Sequence, residues 1–249
     1  PTAPDIHLGF TVVMRKLAQF QKLGHQVVLI VGDYTATVGD PSGKATTRKR
    51  LTHQEVLKNA ETYQEQFFKI VNQGKTEVTF NGDWFSKLTF NQVTQLMSKI
   101  TVAQMLERQD FQNRHANNQP ISLHEFMYPM MQGYDSVVIR ADVEIGGTDQ
   151  KFNVIRGREL QRSEGQEPQI GIFMPILLGT CGKEKMSKSL GNYIGINESA
   201  QAIYHKVYSI PDTLILNWFE LLTDISIEKM EEIKTGLESS SINPNQVKH

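Results

Sequence analysis

The chain has 249 residues, 39% hydrophobic and 21% charged, with 26 basic side chains against 27 acidic ones and a net charge of −1. That length suits one large domain, or a domain with an insertion, and the balanced charge excludes any global pull toward nucleic acid or a membrane surface, so such an affinity has to be local. Its single cysteine, Cys181, excludes an internal disulfide, argues against a Cys-based metal site and fits a reducing cytoplasm, and no run approaches the roughly 18 apolar residues of a membrane span. No signal peptide opens the chain, so a cytoplasmic location is expected. The start on Pro1, with PTAPD leading straight into a helical pattern, reads as a fragment whose first strand lies outside it.

In chain order, residues 8–23 carry helical spacing (Leu8, Val12, Leu17, Phe20, Leu23) that stops at Gly24. VVLIV at 27–31 is a β-branched apolar run, the mark of a strand buried on both faces. GDYTATVGDPSGK at 32–44 reads as a long loop at that strand's C-terminal end. Thr52 with Glu55 predicts a capping box opening a helix to about Val71, and TEVTF at 76–80 predicts a strand, followed by helical segments near 91–108. Ser122 with Glu125 predicts a second capping box and a helix through about Gly133. SVVIRADVEIGG gives strand residues, DQKFNVIRGRELQR a helix from Asp149, and IGIFMPILL another strand. Helices are predicted at 198–208, 212–223 and 226–238. The alternation implies an α/β fold with a Rossmann-like parallel sheet, an inserted helical section and a helical C-terminal part. Ligands of such sheets bind at the C-terminal strand ends, which singles out the loops before the first helix, at 32–48 and after Ile145.

GKEKMSKSLGN, 182–192, has the composition of a solvated turn. Its spacing says more: Lys185 and Lys188 flank Ser187, so hydroxyls, backbone amides and two ammonium groups can converge on one anion such as a triphosphate. PTAPDIHLGF puts His7 and Gly9 in the opening turn of a helix with Thr2 just before it, a place that favours an anion and lets a nucleotide approach the backbone. In YPMMQGYD, Tyr128, Gln132 and Asp135 stand at i, i+4 and i+7, so one helix face carries a phenol, an amide and a carboxylate where a core-facing helix would carry aliphatic groups.

HLGF and KMSKS together resemble the two signatures, of the type HIGH and KMSKS, of the class I aminoacyl-tRNA synthetases. The second is complete at Lys185 to Ser189; the first ends in Phe10 where the family has a second histidine. GDYTATVGDPSGK, YPMMQGYD and GGTDQKFN are similar to the substrate-binding segments of bacterial tyrosyl-tRNA synthetases rather than their tryptophanyl relatives. The resemblance implies a Rossmann-like catalytic domain over 1–195, with an inserted section at about 84–133 that forms a homodimer interface, and a helical domain over 196–249. It also implies an upstream strand and a C-terminal RNA-binding domain that these residues do not include.

The resemblance further implies the roles. Asp135 accepts a hydrogen bond from the phenol of L-tyrosine; Tyr128, Gln132 and Asp40 hold its ammonium group, with Thr35 and Gln150 in the same pocket. Gly9, Phe10, Gly147, Asp149, Met186, Ser187 and Ser189 line the ATP. Thr2 and His7 face the γ-phosphate, Lys185 and Lys188 close over the pyrophosphate, and Lys44 and Arg48 do the same from a mobile loop. The implied reaction is tyrosyl-adenylate formation from ATP, with its Mg²⁺, followed by transfer to tRNA(Tyr). Two other readings remain. Another adenylate-forming or nucleotidyl-transferring enzyme would lack the face made by Tyr128, Gln132 and Asp135. A synthetase-like RNA-binding or regulatory protein with reduced or no catalysis is favoured by Phe10 and opposed by the complete lysine loop.

Overall fold

A computed structural model describes residues 5–39 and 53–249. In chain order the elements are α1 (Leu8–Lys22), β1 (Val27–Val31), the short α2 (Thr35–Val38), α3 (His53–Phe67), β2 (Thr76–Phe80), α4 (Gly82–Phe85), α5 (Phe90–Met97), α6 (Val102–Met105) and α7 (Gln109–Ala116). Next come α8 (Met127–Val138), β3 (Val143–Gly147), α9 (Lys151–Ser163) and β4 (Ile170–Met174), and then α10 (Ala200–Tyr208), α11 (Ile215–Leu222), α12 (Ile227–Glu238) and α13 (Pro244–Lys248). β1 and β2 run parallel, Val27 opposite Thr76 and Val31 opposite Phe80, and β3 pairs with β4. The class is mixed α/β, as the alternation of periods predicts. No described helix is long and apolar enough to cross a membrane.

The chain divides into two compact units. The first takes the described residues of Gln26–Thr62 and Lys75–Phe173; the second takes Asp5–His25, Tyr63–Gly74 and Met174–His249. In the first, a core of Leu96, Met105, Met130, Val137 and Leu160 sits with α8 packed on α9. The two helices approach closely because glycines stand at the crossing. A Cβ on Gly133 would lie 2.9 Å from the Gly157 nitrogen and 3.1 Å from the Arg156 carbonyl carbon, and both are backbone atoms of α9. The second unit is built on Val12, Leu177, Met186, Ile194, Ile210, Leu214, Trp218 and Leu221.

Where the structure departs from the periodic reading, remote contacts decide. Thr35–Val38 is helical rather than loop, because the Tyr34 and Thr35 amides donate to Asn81 Oδ1 at 3.0 and 3.4 Å, a cap supplied from the end of β2. Thr52 lies outside the described residues, so of the two capping boxes expected from the sequence only the second can be followed. There the Ser122 amide donates to Glu125 Oε1 at 2.9 Å, opening a 3₁₀ turn that runs into α8. α8 passes through Gly133, used for close packing, and takes in Ser136–Val138, which the β-branched residues had suggested as strand. Glutamines capture the carbonyls where α8 ends: Gln161 Nε2 donates to Ala141 O at 2.9 Å and Gln166 Nε2 to Val137 O at 3.0 Å. Tertiary hydrogen bonding has overridden local propensity there. β4 stops at Met174, before Pro175, which has no amide to continue a ladder.

The α8/α9 crossing generates a test. Gly133→Ala forces two backbones apart, a form of overpacking that costs about 1–3 kcal/mol and lowers the melting temperature by roughly 2–12 °C. A melting temperature unchanged in calorimetry would mean that the helices have room to separate at this point.

Candidate active site

Asp135 is the buried member of the polar face on α8. Its oxygens accept from different donors: Oδ1 from Trp84 Nε1 at 2.9 Å, and Oδ2 from Asn81 Nδ2 at 3.2 Å. Asn81 follows β2 directly and is itself fully buried. Its amide uses every position it has. Oδ1 accepts from the Tyr34 and Thr35 amides, while Nδ2 donates to Asp135 and, at 3.0 Å, to Thr35 Oγ1. Beside it Asp33 Oδ1 accepts from the Gly82 amide at 2.7 Å, a second tie between the segments that follow β1 and β2. The Tyr34, Phe85 and Tyr134 rings form a chain, with centroids 5.7 and 5.9 Å apart, and Trp84 sits against Phe85.

Burial pushes the Asp135 carboxyl up from the ordinary 3.8 to about 7; the Asn81 and Trp84 donors pull it down, and the like charges of Glu144 and Asp33 push it up again. Gln132, one turn earlier, is oriented from both ends. Its Oε1 accepts from Asn153 Nδ2 at 2.8 Å and its Nε2 donates to Glu144 Oε1 at 3.4 Å. The same Asn153 amide donates to Gln150 Oε1 at 3.0 Å, and Arg108 Nη1 donates to Asn153 Oδ1 at 3.2 Å. Tyr128 lies half-buried at the start of α8, while Gly147, exposed Asp149 and Gln150 occupy the end of β3 and the turn after it. Thr35, Tyr128, Gln132, Asp135, Gly147, Asp149 and Gln150 therefore all belong to the first unit.

His7, Gly9, Phe10 and the lysine loop belong to the second. His7 is the N-cap of α1: its Nδ1 accepts from the Gly9 amide at 3.2 Å. The Leu8 amide donates to Ile194 O and the Phe10 amide to His7 O, both at 2.9 Å. The opening amides of α1 are thus engaged within the protein. Burial, then the Lys188 charge, lowers His7 to about 4, so the ring is neutral at pH 7. With Nδ1 accepting, its proton sits on Nε2 as a donor. Phe10 is exposed, its ring 4.5 Å from that of His7 and edge-on to Tyr63 at 6.5 Å.

In the loop, Lys188 Nζ pairs with Asp5 Oδ2 at 3.2 Å and Ser187 Oγ meets Ser189 Oγ at 2.9 Å. Lys185 is exposed. Met186 turns the other way, its side chain buried in the core of the second unit and its amide donating to Leu177 O at 2.9 Å. Burying a methionine contributes about 1.5–3 kcal/mol, against roughly 0–1 for a half-exposed ion pair. Met186 rather than the Lys188–Asp5 pair therefore holds the loop in place. Thr2, Asp40, Lys44 and Arg48 lie outside the described residues.

Asn81, Trp84, Glu144 and Asn153 were not singled out from the sequence. A signal for the first two was present: NGDW follows a strand end, the same rule that picked out the other loops. Glu144 and Asn153 carry no local signal. Among the described residues no group of three or more His, Cys, Asp or Glu side chains could hold a metal ion.

A parallel pair of strands whose C-terminal ends lead to a buried carboxylate, and a separate lysine loop packed beside a histidine-capped helix, are the features of an α/β protein with two candidate site regions. The whole chain, residues 1–249, matches the model of the tRNA synthetases class I (W and Y), and it belongs to that family. It is 61% identical over 248 residues to a tyrosine–tRNA ligase of Carboxydothermus hydrogenoformans, covering 100% of this chain and 60% of that protein. It is 58% identical over 248 residues to the tyrosine–tRNA ligase of Moorella thermoacetica, again covering 100% of this chain and 60% of that protein. The chain thus spans about 60% of the length of these relatives. A crystal structure of tyrosyl-tRNA synthetase from Archaeoglobus fulgidus, complexed with L-tyrosine, shares its fold: TM-score 0.79 at 20% identity, covering 99% of this chain and 81% of that one.

The raised Asp135 pKa fixes a pH dependence. An unfolded aspartate titrates near 3.8 and the folded Asp135 near 7, so its contribution to stability is fully present below about 4 and is lost as pH rises through about 7. The shift corresponds to at most about 4 kcal/mol. Asp135→Asn, which cannot ionise, gains on the wild type in urea unfolding midpoint between pH 4 and pH 8. A gap independent of pH would contradict the buried, protonatable carboxyl.

Proposed function

We propose that the protein activates L-tyrosine with ATP to give tyrosyl-adenylate and pyrophosphate, then passes the tyrosyl group to tRNA(Tyr). The observation that carries this is the buried Asp135 carboxylate, held by Asn81 and Trp84, in a chain 61% identical to a tyrosine–tRNA ligase. Each Asp135 oxygen has taken one donor and keeps room for another, which a substrate phenol supplies. Phenylalanine brings no such donor and leaves the buried carboxylate short of a partner, a penalty for which tyrosine against phenylalanine is the standard illustration. Gln132, with Oε1 fixed by Asn153, and Tyr128 and Asp40 hold the substrate ammonium; Thr35 supports the pocket through Asn81, and Gln150 reaches the amino acid.

In the first step a tyrosine carboxylate oxygen forms a bond to the α-phosphorus as the bond to the β-phosphate oxygen breaks and pyrophosphate leaves. In the second, the terminal ribose hydroxyl of the tRNA attacks the acyl carbon, the bond to the phosphate oxygen breaks, and AMP leaves with the hydroxyl proton on its phosphate. Neither requires a general acid or base from the protein; positioning and charge neutralisation suffice. The neutral His7 donates through Nε2 to the phosphates, with Thr2. Lys185 and Lys188 neutralise the pyrophosphate, Lys188 exchanging Asp5 for it, and Lys44 and Arg48 assist. Gly9, Phe10, Gly147, Asp149, Ser187, Ser189 and the backbone of Met186 border the nucleotide. Mg²⁺ comes with ATP, held by phosphate oxygens and water.

The protein acts in the cytoplasm on these substrates as a homodimer. Phe90, Val102 and Leu123, which are 88, 63 and 82% exposed in the helical section between β2 and β3, supply apolar surface for a second copy. The domain organisation is the one the resemblance implies, a catalytic domain over 1–195 and a helical domain over 196–249. Phe10 favours a second reading, a synthetase-like RNA-binding or regulatory protein with reduced or no catalysis.

Tyrosine-dependent exchange of labelled pyrophosphate into ATP separates these readings, and its absence in the wild type would overturn the proposal. Asp135→Ala weakens tyrosine about 10- to 100-fold more than phenylalanine, since only tyrosine loses a charged partner. Asp135→Asn, which keeps the shape, goes the same way. Equal losses in calorimetric titrations would make the residue structural. At the signature's last position, Phe10→His restores a donor beside the nucleotide and raises the exchange rate by about tenfold, with tyrosine affinity unchanged. Because Phe10 is exposed, the change costs little packing. No gain in rate would mean that the nucleotide lies elsewhere.

A further inference from the structure

The lysine loop has the composition of a free turn and the bonding of a clamped one. Leu178 and Lys185 form an antiparallel bridge, and the Gly179 amide donates to Glu184 O at 2.8 Å. Met186 is anchored as described, through its amide and its buried side chain. On either side of it, the residues are tied to a single buried side chain, Asn192. Asn192 Oδ1 accepts from the Ser187 amide at 2.8 Å. Its Nδ2 divides two N–H groups among three acceptors: Lys185 O at 3.1 Å, Cys181 Sγ at 3.3 Å and Glu184 O at 3.4 Å. Its own carbonyl accepts from the Thr180 amide at 3.0 Å. The 3₁₀ turn Lys188–Leu190 then closes on Gly191 in the left-handed conformation, φ 65°, one residue before Asn192.

The strand side of the loop is shaped to admit this amide. A Cβ on Gly179 would lie 2.3 Å from Asn192 Nδ2, 2.4 Å from its Cγ and 2.5 Å from its backbone oxygen. No other residue type leaves that space open. One side chain thus sets the backbone at 184, 185 and 187, and with Met186 anchored inward, Lys185 and Ser187 are turned outward and Lys188 follows from a fixed start.

We propose that Asn192 is a positioning residue for the phosphate-binding lysines, acting on adenylate formation through the backbone of Lys185 and Ser187 without touching substrate. This rests on the reading of the loop given under Proposed function. A positioned ammonium group stabilises charge that develops in the transition state only if it needs no reorganisation at that moment. Asn192 supplies that fixity. Its loss therefore lowers the rate of the first step more than the binding of tyrosine, whose proposed residues, among those described, lie in the first unit.

Cys181 makes the hub observable without catalysis. The Asn192 amide, then the Glu184 and Lys183 amides, lower its thiol to about 7 from the ordinary 9.0. The experiment compares wild type, Asn192→Asp, Gly179→Ala and Lys188→Ala in two assays. In the first, alkylation of Cys181 by iodoacetamide is followed against pH by mass spectrometry of its peptide. The wild-type midpoint falls near 7 and moves up by a unit or more in Asn192→Asp, which keeps an acceptor for Ser187 but has no amide donor. In the second, pyrophosphate exchange slows at least tenfold in Asn192→Asp and Gly179→Ala. That is the direction of Lys188→Ala, and the KM for tyrosine stays within about threefold; in Asn192→Asp the melting temperature also stays within a few degrees, whereas Gly179→Ala, overpacked against Asn192, lowers it. Wild-type exchange absent would overturn the function and this inference with it. Wild-type exchange present, with both variants within twofold of it, would overturn the inference alone. So would a parallel fall in rate, tyrosine affinity and stability, which marks a purely structural residue.

Discussion

The Asn81 amide is the constraint on which the first unit's site depends. One fully buried side chain caps α2, binds the Thr35 hydroxyl and holds an oxygen of Asp135, with no bonding position left over. It does this from the residue after β2, so the register of the β1/β2 pair is transmitted to the carboxylate on α8 through a single planar group. An amide suits this place because it presents two donors and two acceptors in fixed directions. An aspartate would turn the Nδ2 contact with Asp135 into a clash of like charges. Asp135 in turn tolerates burial because two neutral donors meet it, and its raised pKa records that the compensation is incomplete. A carboxylate in that condition gains from a further donor, which is the condition a phenol satisfies.

A parallel logic organises the second unit. There the exposed groups, Lys185, Ser189 and the half-exposed Lys188, are held by buried ones, Met186 by apolar packing and Asn192 by hydrogen bonding. The start of α1 follows the same pattern, since its first amides are used inside the protein and the buried imidazole of His7 caps the helix through Nδ1. Both units therefore keep backbone amides for structure and leave side chains for the proposed chemistry. This differs from a glycine-rich phosphate loop, where the backbone itself receives the anion.

Much of this was legible in the sequence where the signal is local. The limits of β1 and β2 follow from VVLIV and TEVTF, Gly24 ends α1 with φ 92°, and the i, i+4, i+7 spacing of Tyr128, Gln132 and Asp135 put all three on α8. What was not legible depends on partners distant in the chain. α2 forms because of an asparagine 46 residues away, and α8 continues through Ser136–Val138 because the Gln161 and Gln166 amides donate to its Ser136 and Val137 carbonyls. The lysine loop is intermediate. KMSKS raises the expectation of an anion site by composition, but that Met186 is core and Asn192 a clamp depends on Leu177 and Gly179, residues whose role appears only once the chain has turned back on itself.

The central claim is that Asp135, held by Asn81 and Trp84, is the acceptor for a substrate phenol. Carbon-13 labelling of aspartate carboxyls allows the titration of Asp135, assigned by its loss in Asp135→Asn, to be followed by nuclear magnetic resonance with L-tyrosine or L-phenylalanine bound. The two ligands desolvate the site alike and differ by one hydroxyl, so the difference between them isolates the phenol hydrogen bond, which favours the ionised form. The account predicts a midpoint clearly lower with tyrosine than with phenylalanine, starting from about 7 in the free protein. The same midpoint with both ligands would contradict it.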